Sequence, residues 1–132
     1  IWLNTLPALK NCFIIGTGTG EFCFHYPQND IVGALNTHGS ANLLTDKPHS
    51  MYLGLAVSCG IPALLIFLAL AVITLRRGAL SSVRGGVLSG AFAAVIAALV
   101  MGFANDISPV YSPLAAVFTG IICSRPDPAE SR

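Results

Sequence analysis

Charged residues are spaced along the chain so as to leave three long apolar gaps. No Asp, Glu, Lys or Arg occurs between Lys47 and Arg76, between Arg84 and Asp106, or between Asp106 and Arg125. Crossing a hydrocarbon core of ~30 Å takes about 20 helical residues. In lipid every backbone N–H and C=O has to pair within its own segment, so each gap predicts a helix. The spans fall near 50–75, 85–104 and 107–124; the third is short and carries Pro109 and Pro113 at its start. The fold class this predicts is all-α: a multi-span transmembrane helical bundle, three spans in this chain, with an external N-terminal loop. The competing reading is the buried helical core of a larger soluble protein, in which three such runs in succession are rare.

Local signals refine the pattern. Pro48 suits the first turn of span one, where its missing N–H costs nothing, and Asp46 just upstream suits the positive end of a helix. Gly60 and Pro62 predict a kink inside that span. In span two Gly86, Gly90, Ala94, Ala98 and Gly102 recur every four residues and form a ridge of small side chains. Such a ridge predicts close helix–helix packing in lipid. Upstream, Ile1 to Ile15 is apolar apart from Lys10 and reads as a short interfacial helix with Trp2 as an anchor. The run Gly16-Thr17-Gly18-Thr19-Gly20 then breaks regular structure and reads as a flexible turn. The domain organisation is therefore an external loop over 1–49, a membrane domain over 50–124 and a tail over 125–132.

Basic residues orient the spans. Arg76, Arg77 and Arg84 lie between spans one and two, and Arg125 and Arg132 lie in the tail, whereas the long 1–49 segment holds only Lys10 and Lys47. The positive-inside rule puts 76–84 and 125–132 in the cytoplasm and puts 1–49 and the Asn105-Asp106 turn outside. Composition agrees with a chain partly solvated by lipid. Of 132 residues, 54% are apolar and only 10% charged, against roughly 45–50% and about 25% in ordinary soluble domains. The mean hydropathy is +0.72. A net charge of +1 excludes a basic nucleic-acid binder. The chain opens at Ile1 without a basic leader, so it reads as the C-terminal piece of a longer protein.

Few residues offer chemistry. The GTGTG run has neither the spacing of a dinucleotide fingerprint nor the lysine of a phosphate loop. His25, His38 and His49 match no compact metal-ligand spacing, so no metal is expected. A Cys12–Cys23 disulfide is open on the external side, and Cys59 and Cys123 fall in spans. The segment Asp46-Lys47-Pro48-His49-Ser50 stands out. It places His49 in the first turn of a span at the outer interface, where a helix N-terminus favours phosphate and a neutral imidazole can act as a base. The competing reading is an interfacial histidine that only caps or packs. Asn105-Asp106 lies at the same level, either turning the chain between spans two and three or lining an outward cavity with His49.

The order of these features resembles the C-terminal part of the O-antigen ligase/polymerase-like integral membrane proteins. The matching stretches are IIGTGTGEF (14–22), YPQND (26–30), DKPHSMYLGLAVSCGIPALL (46–65) and FANDISPVYSPLAAVFTGI (103–121). The resemblance implies a multi-pass glycosyltransferase of the bacterial cytoplasmic membrane that acts at its outer face. It would transfer or polymerise a polyprenyl-pyrophosphate-linked glycan, with a glycan or lipid acceptor and no cofactor, metal or nucleic acid. It implies His49 as the catalytic base or phosphate ligand. Asp46, Lys47 and Asp106 would be substrate-binding groups, and Tyr52 and Phe24 would stack on sugars or belong to the interfacial aromatic belt. In the family arginines contact the pyrophosphate. The external loop here has none, so these groups and further upstream transmembrane helices would precede Ile1. Two readings compete: a transporter or flippase module for lipid-linked sugars, and a membrane fragment without chemistry. The transporter would place ionisable residues at mid-membrane depth, and the three spans contain none.

Overall fold

The structure is a computed structural model that describes residues 1–10, 13–28, 32, 35–36, 39, 44–82, 86–106 and 111–124. Cys12, His38, Arg84, Pro109 and the expected tail 125–132 lie outside the described residues. The described elements are all helical: α1 Trp2–Leu9, α2 Phe22–His25, α3 Met51–Cys59, α4 Ile61–Ser82, α5 Val87–Met101 and α6 Tyr111–Cys123. No strand occurs among the described residues.

Within α4 the 20 residues Ile61–Leu80 are long and apolar enough to cross a membrane, and this is the one such helix among the described residues. At 1.5 Å per residue the stretch is about 30 Å long. Leu65, Ile66, Leu70, Val72 and Ile73 are exposed along it, whereas the core helix of a soluble protein would bury them. α5 and α6 are apolar but shorter, with 15 and 13 residues. Pro113 enters α6 in its first turn, where a missing N–H breaks no helical bond.

The helix expected over 50–75 is not continuous. α3 ends at Cys59, and Gly60 takes φ 87° and ψ 168° before α4 begins. Only glycine holds that conformation comfortably, so the expected kink is a complete break. α4 then runs beyond residue 75 and draws Arg76 and Arg77 into helix, where a loop was expected. Pro62 sits in the first turn of α4 and obstructs nothing.

The chain divides into two compact units, one of Ile1–Leu65 with Phe103–Asp106, the other starting at Ile66 and including α5 and α6. Within the first unit α1 packs on α3. The core of the first unit is Phe22, Tyr26 and Val57, with Ile1 and Leu9 against it. The Phe22 and Tyr26 rings lie 5.3 Å apart.

The glycine-threonine run is docked rather than flexible. The Thr17 and Gly18 N–H groups donate to the Val57 and Ser58 carbonyls at 2.8 and 3.0 Å, and the Thr17 hydroxyl also donates to Val57 at 3.3 Å. These are carbonyls of the last turn of α3, which have no helical partner of their own. On the other side of the break the Ile61 N–H donates to the Phe13 carbonyl at 2.9 Å. The approach is so close that a Cβ on Gly16 would overlap the Ser58 backbone, and one on Gly60 the Ile14 carbonyl. Segment 13–18 therefore caps the end of one helix and the start of the next.

In the second unit α5 and α6 pack through Ala91, Val95 and Ile122, with Phe92, Leu99 and Phe118 around them. The small-residue ridge is not the packing face expected of it. Gly86 and Gly102 cap α5, and a Cβ on Gly90 would meet open space. The inward face is one residue further round, where branched and aromatic side chains fill the gap to α6. The close approach falls instead at Gly78 of α4, whose Cβ position is filled by the Phe92 ring. Thr74, fully buried, donates to the Leu70 carbonyl at 2.8 Å and lies 3.8 Å from the Cys123 sulfur. Arg77 Nη1 donates to the Cys123 carbonyl at 2.9 Å.

Candidate functional site

The segment leading into α3 is held from below. Gln28 makes a two-point amide pair with Thr45: its Nε2 donates to the Thr45 carbonyl at 3.1 Å, and the Thr45 N–H donates to its Oε1 at 3.0 Å. The same Nε2 donates to the Cys23 carbonyl at 2.8 Å. Gln28 thus ties residues 44–50 to the end of α2. Pro48 is buried, and its ring rests above Gly54. Ser50, also buried, is the N-cap of α3, and its carbonyl accepts from the Gly54 N–H at 2.8 Å.

His49 is caught between these two buried residues. It precedes the N-cap, so neither it nor Pro48 lies in the first helical turn expected for them. Its φ is 51°, the one positive value at a non-glycine position among the described residues. Histidine tolerates the left-handed region better than most side chains, but the conformation still costs energy and persists only where the surroundings impose it. Here the buried neighbours on either side impose it, and the result is a turned-out imidazole.

That imidazole meets Asp106. His49 Nδ1 lies 3.4 Å from Asp106 Oδ2, with the two side chains 44% and 22% exposed. The pair is open to solvent on the His49 side. The turn carrying Asp106 is brought to α3 by an aromatic contact, the Tyr52 and Phe103 rings being 4.8 Å apart and inclined at 45°. Tyr52 is therefore engaged by Phe103, whereas Phe24 is exposed. Beside the pair lies an open depression of about 460 Å³ lined by Ile1, Trp2, Leu3 and His49.

The structure brings together two of the four residues singled out in the sequence. Asp46 and Lys47 are exposed, with no hydrogen bond or ion pair among the described residues. Cys23 and Cys59 are free thiols, and no group of His, Cys, Asp and Glu suited to a metal occurs among the described residues. Gln28 and Trp2 are the additions. Gln28 has no local sequence signal, whereas Trp2, the one tryptophan of the chain, was visible as an anchor but not as a neighbour of His49. Comparison with family models, with curated proteins and with solved structures found no match.

An imidazole whose Nδ1 faces a carboxylate is set up for proton transfer at its other nitrogen. At 3.4 Å the carboxylate can hold the ring with Nδ1 toward it, which leaves Nε2 for another partner. The arrangement is an imidazole–carboxylate pair at the edge of a partly apolar depression.

Proposed function

We propose that this chain is the C-terminal part of an O-antigen ligase/polymerase-like glycosyltransferase, a multi-pass protein of the bacterial cytoplasmic membrane with residues 1–49 on the outer side. The observation that carries the reading is the pairing of His49 with Asp106. The two lie far apart in the sequence, inside separate stretches of the family resemblance. The long apolar helix α4 supports the membrane setting, with α5 and α6 as further candidates to enter lipid beside upstream helices.

In this reading an acceptor hydroxyl gives its proton to His49 Nε2 as its oxygen attacks the anomeric carbon of a polyprenyl-pyrophosphate-linked glycan. The new carbon–oxygen bond forms as the bond from that carbon to the pyrophosphate breaks, and the electron pair leaves on the lipid pyrophosphate. Asp106 holds the Nδ1–H and balances the imidazolium. This makes Asp106 a positioning residue rather than the substrate ligand that the sequence suggested. Lys47, exposed three residues before Ser50, is available as a cation for the departing phosphate. No cofactor or metal enters the reaction.

General-base catalysis contributes ~10²–10⁴-fold. His49→Ala in the full-length protein, assayed with a labelled lipid-linked glycan donor, should lose transfer by that order while membrane insertion is retained. Asp106→Asn should lose activity as well, since an amide can donate to Nδ1 and favour the wrong tautomer. Transfer at the parental rate by His49→Ala would remove the proposed mechanism.

A further inference from the structure

We infer that Trp2, Leu3 and Leu6 of α1, together with Phe13, Ile14 and Ile15 of the turn after it, form a membrane-interface anchor lying in the headgroup layer beside the start of α4. The inference rests on the proposal that α4 crosses a bilayer, and adds to it a surface, its lipid partner and its depth.

The first observation is that α1 is apolar on both sides: Ile1 and Leu9 pack on the core, yet three more large apolar residues turn away from it. Thr5 and Ala8, 0% and 8% exposed, face the protein, while Trp2, Leu3 and Leu6 are 48%, 81% and 51% exposed. At 100° per residue these three lie on one side of the helix, opposite Thr5 and Ala8. Water selects the reverse order, with the threonine out and the tryptophan and leucines in. A helix that packs one side on the protein and still turns a tryptophan and two leucines outward is arranged for lipid. No charge occurs from Ile1 to Leu9, and the first cation, Lys10, follows the helix, placed to reach headgroups.

The second observation fixes the level. Phe13, Ile14 and Ile15 are all exposed, and the Phe13 carbonyl accepts from the N–H of Ile61, the first residue of α4. If α4 spans the hydrocarbon, its first residue stands at the boundary, and so does the turn bonded to it. Tryptophan prefers that boundary because its ring is apolar and its N–H is not. Trp2 and Leu3 also wall the depression that holds His49. The anchor therefore sets the depression at the height of the headgroups, where a lipid-linked phosphate arrives without leaving the membrane.

Trp2 is the one tryptophan of the chain, so its fluorescence reports this surface alone. The full chain is reconstituted in phosphatidylcholine vesicles with lipids brominated at graded depths, and acrylamide serves as the aqueous quencher. A second protein, Trp2→Phe with Leu70→Trp, moves the reporter to the middle of α4. We expect Trp2 to be quenched most by bromines near the headgroup, and Leu70→Trp by the deepest ones. Leu3→Asp with Leu6→Asp should release Trp2 from lipid quenching; a Leu70→Trp reporter in that background should be unaffected. Trp2 quenched by acrylamide and not by bromolipid, while Leu70→Trp keeps its deep quenching, overturns the anchor and leaves the spanning helix standing. Trp2 shielded from both quenchers means that protein covers the face, which overturns the anchor too. Both reporters open to acrylamide and blind to bromolipid would overturn the membrane reading itself.

Discussion

Replacing Gly60 by alanine tests the close approach of segment 13–18 to the break before α4. Two costs combine there. A side chain at φ 87° and ψ 168° occupies a region that only glycine enters freely, at about 1–3 kcal/mol. The added Cβ also overlaps the Ile14 carbonyl, so segment 13–18 has to move away. That movement breaks the bonds from Thr17 to Val57, from Gly18 to Ser58 and from Ile61 to Phe13, each worth about 0.5–1.5 kcal/mol. The sum is about 3–7 kcal/mol at full loss, and relaxation trims it toward the lower end. Gly20→Ala is the control, because Gly20 has φ 88° but nothing within reach of a Cβ, leaving only the conformational cost of about 1–3 kcal/mol. Helix loss followed by circular dichroism during denaturant titration in micelles measures both variants. Gly16→Ala should behave like Gly60→Ala, and the double variant should cost less than the sum, since one displaced segment accounts for both. Equal effects of Gly60→Ala and Gly20→Ala would refute the docked turn.

Two further substitutions probe the surroundings. Gln28→Leu should destabilise the first unit by about 1–3 kcal/mol, because it leaves the N–H of the buried Thr45 without its acceptor; hydrogen exchange at that amide should accelerate. Gly78→Ala should cost about 1–3 kcal/mol by forcing the Phe92 ring from its place, and Phe92→Ala in the same chain should recover part of the loss in a denaturant titration.

The sequence carried the helices better than their ends or their contacts. The gap from Lys47 to Arg76 announced an apolar helix, and Gly60 with Pro62 announced an interruption. What filled the interruption was not legible, because the Thr17 N–H meets the Val57 carbonyl across 40 residues, and backbone bonds leave no side-chain pattern. The ridge from Gly86 to Gly102 misled for a related reason. Small residues permit close packing, but the shape of Phe92, Val95 and Ile122 decides which face is used. His49 and Asp106 were both visible as polar residues at the ends of apolar runs. Their proximity was one of two readings left open there, because what decides it is the left-handed turn at His49 and the contact of Tyr52 with Phe103.

The guanidinium of Arg77 has a consequence for the path of the chain. It holds the Cys123 carbonyl at the negative end of α6, while itself standing in the last two turns of α4. The late part of α4 and the end of α6 are thereby held at one level. Any topology that sends the ends of α4 and α6 to opposite compartments would have to tear this fastening apart, so one arginine acts as a compass for the whole hairpin.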